Sequence, residues 1–286
     1  SALVSLSGAP FNASLVRANA AQVAAFEFGG FFDAAARYPT SLMGSIALLR
    51  QTLADAQWHL AALEAHTRTA GVGAERPEAN AALAALAPVV RGEQLLLVEA
   101  QDELDVERAQ KVAHEFKARL AVRGNGTEYR VLPLLERAKT PVVLPLNFPE
   151  VPEVETPEKA ADVSLDQLQH WELAPSNAGR LVAAGVPVAL TTAELRRESE
   201  FWSRVRSAVK AGLPADQALA ALTTTPASLF GVAATHGTLE AGKTANVVVA
   251  RGDLFTSDEA EIELVFVDGD PFELDAWDRF DARGAW

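Results

Sequence analysis

Short apolar segments alternate with amphipathic segments between residues 94 and 191, and this alternation constrains the fold more than any other feature of the chain. Continuous apolar runs of this kind are typical of strands that are buried on both faces. The predicted strands are Gln94–Glu99, Arg119–Arg123, Pro141–Leu146 and Pro187–Thr191. A helical pattern follows the first of them, over Leu104–Lys117. Strands and helices that alternate at this spacing predict a parallel sheet with right-handed crossovers.

The chain before this region is predicted to be mainly helical. The run Ala2–Ser7 predicts a short strand, and Asn12 or Ser14 can cap a helix that we expect to continue through Val23 to Phe28. The other predicted helices are a short piece at Phe31–Arg37, a long helix from Ser41 to about His66, and Ala79–Leu86, Tyr129–Ala138, Ser164–His170, Ser176–Gly185, Glu200–Ala211 and Ala215–Leu222. The segment Asn147–Val163 is rich in Pro and Glu and is predicted to be a solvated loop.

The segment from Ala218 to Val249 has a second, more specific pattern. It predicts a short apolar helix, a second helix entered through Thr225-Pro226 and ended at Gly231, a turn bracketed by two glycines, and a buried strand at Val247–Val249. This ordered series resembles the C-terminal signature of the amidohydrolase superfamily, in particular its imidazolonepropionase-like branch. The resemblance extends over roughly the last two thirds of the chain.

The resemblance implies an α/β fold, a partial (β/α)8 TIM-like barrel of the metal-dependent hydrolase type with a small composite β-sandwich. In that frame the strands at about 94–192 are strands five to eight, and residues 1–235 form the barrel portion. Residues 236–286 supply sandwich strands, at Asn246–Arg251 and Ile262–Asp268, and a tail, Asp275–Trp286, that we expect to pack on the sandwich. The family's opening strands have no predicted counterpart, so the edge beside Gln94–Glu99 is expected to need an upstream fragment or a second subunit that completes the barrel. The resemblance thus favours a downstream piece of a longer chain over a mature or trimmed terminus at Ser1.

The composition excludes several classes of function. With 38 acidic and 25 basic residues the net charge is −13, which disfavours nucleic acid as a partner. Cysteine is absent, so disulfides, thiolate metal sites and cysteine nucleophiles are excluded. No apolar run approaches the ~20 residues of a membrane span. The composition is compatible with an exported protein, in the envelope or periplasm, and equally with the cytoplasm.

The resemblance also implies where metal ligands should lie, and the sequence departs from the family at each such position. The family has His after strands five and six and Asp after strand eight; here Glu99, Arg123 (or Gly124) and Ala193 stand at those positions. No His-x-His occurs, and no two histidines have a usual ligand spacing. The histidines are His59, His66, His114, His170 and His236. We therefore assign no catalytic residue and no metal ligand, and the candidate pocket at the former metal site comprises Glu99, Arg123, Asn125, Thr192, Ala193 and Glu194.

Each candidate residue has a structural interpretation beside the functional one. Glu99 could replace a metal ligand, but a salt bridge with Arg123 on the neighbouring strand end is favoured. Glu194 could replace the lost Asp by a one-residue shift, but an exposed position at a polar helix start is favoured. Gly124-Asn125-Gly126 could present backbone N–H groups to an anion, but a plain turn is favoured.

Two functions of different classes follow. The first is a degenerate amidohydrolase that lacks the catalytic metal, a pseudoenzyme that serves as a structural or interaction subunit in an oligomer or hetero-complex. The second is a metal-dependent hydrolase of non-peptide C–N bonds, of the cyclic amide type. It would use zinc or another divalent metal, with the remaining ligands on an upstream segment or partner chain. Loss of the strand-eight Asp, which transfers the proton in that family, favours the first.

Overall fold

The structure is a computed structural model that describes residues 1–27, 38–69, 72 and 75–273. The strands are β1 Leu3–Val4, β2 Leu15–Arg17, β3 Ala21–Ala25, β4 Leu95–Glu99, β5 Arg119–Arg123, β6 Val142–Pro145, β7 Val188–Thr191, β8 Val247–Arg251, β9 Glu261–Val267 and β10 Asp270–Glu273. The helices are α1 Phe11–Ser14, α2 Leu42–Arg68, α3 Ala81–Val90, α4 Glu103–Phe116, α5 Leu132–Ala138, α6 Pro157–Asp162, α7 Leu165–Leu173, α8 Asn177–Ala183, α9 Phe201–Lys210, α10 Ala215–Leu222 and α11 Thr224–Leu229.

A five-stranded parallel sheet in the order β3-β4-β5-β6-β7 organises the fold. Each of its last four strands lies within a predicted strand, and β5 has the predicted bounds. The parallel register sets Glu99 directly opposite Arg123 at the carboxyl ends of β4 and β5. The predicted mixed α/β class with a parallel sheet is therefore confirmed.

The predicted helix from Asn12 or Ser14 through Val23 to Phe28 is wrong. Residues 21–25 do not continue a helix from Asn12 or Ser14; they form β3, which pairs in parallel with β4 and covers the edge that we expected to be open. The helix around those caps is limited to α1, four residues long. The run Ala-Gln-Val-Ala-Ala has good helix formers, but pairing with a buried strand overrides that weak propensity. The open edges of the described sheet are thus β3 and β7.

The two faces of the sheet differ in how they are covered. One face carries the larger core, in which Leu96, Val98, Val122 and Leu144 pack against the helices. The other face carries small side chains and a smaller cluster of Ala21, Leu95, Ala121 and Leu229. Val23 of the edge strand is 38% exposed. This second face has fewer buried apolar residues than the first in the part of the chain that the structure describes.

The helices mostly follow the predicted pattern. Ser41 caps α2, and its hydroxyl accepts the N–H of Gly44. Ser164 forms a capping box with Gln167 at the start of α7. The predicted loop Asn147–Val163 is not wholly irregular, because Thr156 caps the short helix α6 within it. Pro157 suits the first turn of such a helix, since its missing N–H would have no partner there.

The C-terminal strands form a separate antiparallel sheet in the order β10-β9-β8. Asp268 and Gly269, both with positive φ, form the hairpin turn between β9 and β10. The strand at Val247–Val249 is confirmed, but its predicted burial is wrong, because Val248 is 51% exposed. The N-terminal segment reaches this sheet, since the hydroxyl of Ser5 donates to the Asp268 carboxylate. A composite sandwich that includes β1 and β2 stays a prediction.

Several predictions concern residues outside the described part of the chain. They are the helix end at Phe28, the piece Phe31–Arg37 and the packing of the tail Asp275–Trp286. Within the described residues, no helix has both the length and the apolar character needed to cross a membrane.

Candidate functional site

The carboxyl ends of β4 and β5 bring a carboxylate and a guanidinium together. Arg123 Nη2 lies 3.0 Å from Glu99 Oε2, and both side chains are about a quarter exposed (28% and 24%). The pair forms because the parallel register sets the two residues opposite each other and their side chains leave the same face of the sheet. The favoured salt-bridge interpretation of Glu99 is confirmed.

Glu194, just beyond β7, brings a second carboxylate to the same guanidinium. Its Oε1 lies 3.9 Å from Arg123 Nη2, and its Oε2 accepts a hydrogen bond of 2.9 Å from Asn147 Nδ2. Glu194 has a left-handed φ of 64° and precedes the next helix, a short 3-10 turn at Glu198–Glu200, by several residues. It is therefore not at a helix start, and the favoured interpretation of Glu194 is wrong. Arg123 lies between two carboxylates.

The other three candidate residues have less direct roles. Asn125 donates from Nδ2 to the backbone carbonyl of Gln101 (2.6 Å), and the backbone carbonyl of Asn125 accepts from Asn147 Nδ2 (3.2 Å). Ala193 only donates its backbone N–H to Thr191 Oγ1. The side chain of Thr192 makes no hydrogen bond among the described residues. Asn147 thus joins the Asn125 loop to Glu194, a role that the sequence analysis missed.

The turn Gly124-Asn125-Gly126 does present backbone N–H groups to an anion, and that anion is internal. Glu128 Oε1 accepts the N–H of Asn125 at 2.7 Å and that of Gly126 at 3.2 Å. Its Oε2 accepts from Asn177 Nδ2 at 2.6 Å, and the Glu128 residue is 1% exposed. A methyl group at Gly124 would lie only 2.0 Å from Glu128 Oε1. The plain-turn interpretation is thus incomplete: the turn holds a buried carboxylate and leaves no N–H of Asn125 or Gly126 for an external ligand.

The residues at the strand ends do not fit a divalent metal. Metal ligands of such sites are carboxylates, histidines or thiolates, in sets of three or four. Within the described residues, no group of three or more such side chains is arranged to hold a metal ion. The two carboxylates that do converge are opposed by the guanidinium of Arg123. A guanidinium is permanently charged and donates hydrogen bonds only, so it competes with a metal for the same carboxylates.

A second polar cluster surrounds Arg130 in the segments that follow β4, β5 and β6. Arg130 donates to Asp166 Oδ1 at 2.7 Å and lies 3.5 Å from Glu103 Oε1. The Tyr129 hydroxyl lies 3.2 Å from His170 Nδ1, and the two rings are stacked. Burial lowers the pKa of His170, and the charge of Arg130 lowers it further, against the opposing effect of Asp166. The hydrogen bond with Tyr129 raises the pKa of Arg130, as do the contacts with Asp166. His170 is thus held toward its neutral form.

The fold is that of an α/β protein built on a parallel sheet. The cluster of Glu99, Arg123 and Glu194 lies at the carboxyl ends of the strands, where such proteins commonly have their functional sites. Comparison with known families then gives one match: residues 176–271 match the amidohydrolase family. The match begins just before α8 and includes β7, Glu194 and strands β8 and β9. It does not extend to Glu99 or Arg123.

Solved structures extend the likeness over most of the fold. An amidohydrolase from Thermotoga maritima superposes with a TM-score of 0.72 and 22% sequence identity, over 92% of this chain and 65% of that one. A prolidase in complex with N-methylphosphonate-L-proline superposes with a TM-score of 0.51 and 14% identity, over 88% of this chain and 68% of that one. At these identities the likeness concerns the fold. The chain thus spans slightly less than two thirds of the Thermotoga protein. No curated protein sequence matches it.

Proposed function

We propose that the chain is a degenerate amidohydrolase, in which an ion pair replaces the catalytic metal and the fold serves as a structural or interaction subunit. The observation that carries this proposal is the position of Arg123 between Glu99 and Glu194. The guanidinium is a cation fixed in the protein, and it partly neutralises the two carboxylates that a metal would otherwise bind. It supplies neither a bound water nor a Lewis acid, which are the means by which metal hydrolases act.

Family membership and architecture are part of the same proposal. The match over residues 176–271 and the superposition on the Thermotoga amidohydrolase support membership. The partial barrel is supported by five parallel strands with helical crossovers, since a closed barrel of this type has eight. The imidazolonepropionase-like branch and the composite sandwich rest on the signature between Ala218 and Val249.

A partner is the third part of the proposal. Strands β3 and β7 have no further neighbour in the described sheet, and an unpaired strand edge readily accepts another strand. The incompletely covered face beside Val23 lies at one of these edges. We propose that another polypeptide segment, either upstream or from a second subunit, pairs there and completes the barrel.

An activity assay on the intact protein, with any subunit that co-purifies, tests the proposal. The substrates are lactams, cyclic imides and N-acyl amino acids, with zinc or manganese added, before and after treatment with chelator. The proposal predicts no chelator-sensitive hydrolysis of any of them.

The competing function is a metal-dependent hydrolase in which Glu99 and Glu194 act as ligands. It predicts hydrolysis that chelator removes and zinc restores, and that Glu99→Gln abolishes. Glu107→Gln is the matched control, since Glu107 pairs with Lys111 on the surface of α4. Hydrolysis with this pattern of sensitivity would overturn the proposal.

A further inference from the structure

An open cavity of about 950 Å³ lies at the amino ends of the parallel strands. Its wall includes Leu95 and Arg119, the first residues of β4 and β5, together with residues from the ends of α4 and α5 and from α11. The cluster of Glu99, Arg123 and Glu194 lies at the carboxyl ends of the same strands. The cavity is therefore at the opposite end of the sheet, and it has a volume typical of small-molecule sites.

The charge of the cavity is opposite to that of the chain. The chain carries a net charge of −13, whereas the lining contains Lys117, Arg119 and Lys139. No Asp or Glu belongs to the lining among the residues that the structure describes. A concave surface that carries charge of one sign concentrates ions of the other sign. This cavity therefore favours an anion on an otherwise acidic protein.

Each of the three cations lines the cavity and has N–H donors that no described residue uses. Arg119 Nη2 donates to the Leu229 carbonyl at 2.8 Å, and Lys139 Nζ donates to the Ala184 carbonyl at 2.6 Å. Those bonds hold the two side chains in place and use one donor of several on each. In the described part of the chain, the Lys117 ammonium makes no hydrogen bond or ion pair.

The rest of the wall is suited to an organic body and not to a bare ion. Leu95 and Leu229 are buried beneath the cavity, and Pro141 and Pro187 form part of its side. The hydroxyl groups of Thr224, Thr225 and Ser228 add donors that can bind an oxyanion. We propose that this cavity binds a small organic anion, whose carboxylate or phosphate group contacts Lys117, Arg119 and Lys139 while its apolar part lies along Pro141 and Pro187.

A structural role for these lysines is the competing explanation. Lys117 and Lys139 follow the last residues of α4 and α5 in the left-handed conformation, where a positive charge complements the helix dipole. That role predicts that removing the charge of either lysine changes the free energy of unfolding, and that no ligand is needed for this effect.

Titration calorimetry on the intact protein separates the two explanations. The probes are phenyl phosphate, phenylpropionate and the neutral phenylpropanol. We expect saturable binding of at least one anion and none of the alcohol; which anion binds distinguishes a phosphate from a carboxylate ligand. Lys117→Gln should weaken binding about fivefold, the effect of one exposed charge pair, and added salt should weaken it further. Lys111→Gln, on the same helix but outside the cavity, should bind like the unmodified protein.

Two results would overturn the proposal. The first is that neither anion binds saturably. The second is that Lys117→Gln and Lys111→Gln bind an anion equally well while circular dichroism shows both to be folded. The proposal does not depend on the absence of a metal at the other end of the sheet, so either proposal can fail alone.

Discussion

Arg123 Nη2 lies 3.0 Å from Glu99 Oε2, at the carboxyl ends of two neighbouring parallel strands, where related folds place catalytic groups. The contact is a consequence of strand register, because the two residues are direct partners across β4 and β5. The Arg123 guanidinium balances the charge of one of the two carboxylates at the strand ends, Glu99 and Glu194, without any added ion.

The first prediction concerns the strength of this pair. In a double-mutant cycle of Glu99→Gln and Arg123→Gln, we expect a coupling of about 0.5–1 kcal/mol in the free energy of unfolding, because the pair is partly exposed and solvent screens it. Urea unfolding of the four proteins measures the coupling. A coupling of zero would mean that the contact between Glu99 and Arg123 does not stabilise the fold.

The second prediction concerns the buried carboxylate of Glu128. Glu128→Ala should lower the free energy of unfolding by about 3 kcal/mol, since it leaves the N–H groups of Asn125 and Gly126 and one N–H of the Asn177 amide without an acceptor. The other Asn177 amide N–H keeps the Gly126 carbonyl as its acceptor. Glu128→Gln should cost less, because Asn177 Oδ1 has no partner among the described residues and can accept from the new amide when the Asn177 amide turns. Glu107→Ala on the surface of α4 is the control and should stay within about 0.5 kcal/mol. Equal effects of Glu128→Ala and Glu107→Ala would contradict the buried network.

The third prediction concerns the absence of a side chain at Gly124. A Cβ there would lie 2.0 Å from Glu128 Oε1, so Gly124→Ala should destabilise the fold by about 2 kcal/mol. If that contact is the reason, Gly124→Ala together with Glu128→Ala should cost less than the sum of the single changes. Additive costs, measured by urea unfolding, would show that something other than Glu128 restricts residue 124.

The fourth prediction concerns pH. The folded protein lowers the pKa of His170 below its ordinary value of 6.5, so well above pH 6.5 the group is neutral in both states and has no effect on stability. As the pH falls below 6.5, the unfolded chain takes up a proton before the folded protein does, and stability is lost until the folded pKa is passed. Between about pH 7.5 and about pH 5.5, His170→Gln should therefore lose less stability than the unmodified protein.

Urea unfolding of His170→Gln and the unmodified protein at several pH values across this range measures the effect. Equal loss of stability in the two proteins would show that His170 is not the group responsible.

The parts that could be predicted from the sequence are those with a repeating local pattern. The predicted bounds of β5 and α10 agree with the structure, because an apolar run marks the strand and helical periodicity marks the helix. The contact of Glu99 with Arg123 could also be predicted, since parallel strands end at the same edge of a sheet.

The parts that could not be predicted depend on contacts between distant segments. Strand β3 is rich in alanine, and only its pairing with β4 makes it a strand. The role of Glu128 depends on a loop conformation that turns two backbone N–H groups toward it, and on Asn177, which lies 49 residues further along the chain. The nearest signal in the sequence is the Gly124-Asn125-Gly126 turn followed two residues later by Glu128, but this spacing alone does not indicate that the carboxylate is buried.

The central claim is that Arg123 takes the place of a catalytic metal, and metal content tests it most directly. Inductively coupled plasma mass spectrometry should be performed on the intact protein, with any bound subunit, after dialysis against zinc, manganese or iron. The account predicts far less than one metal ion per chain. One ion per chain, retained through dialysis and lost in Glu99→Gln but not in Glu107→Gln, would contradict it.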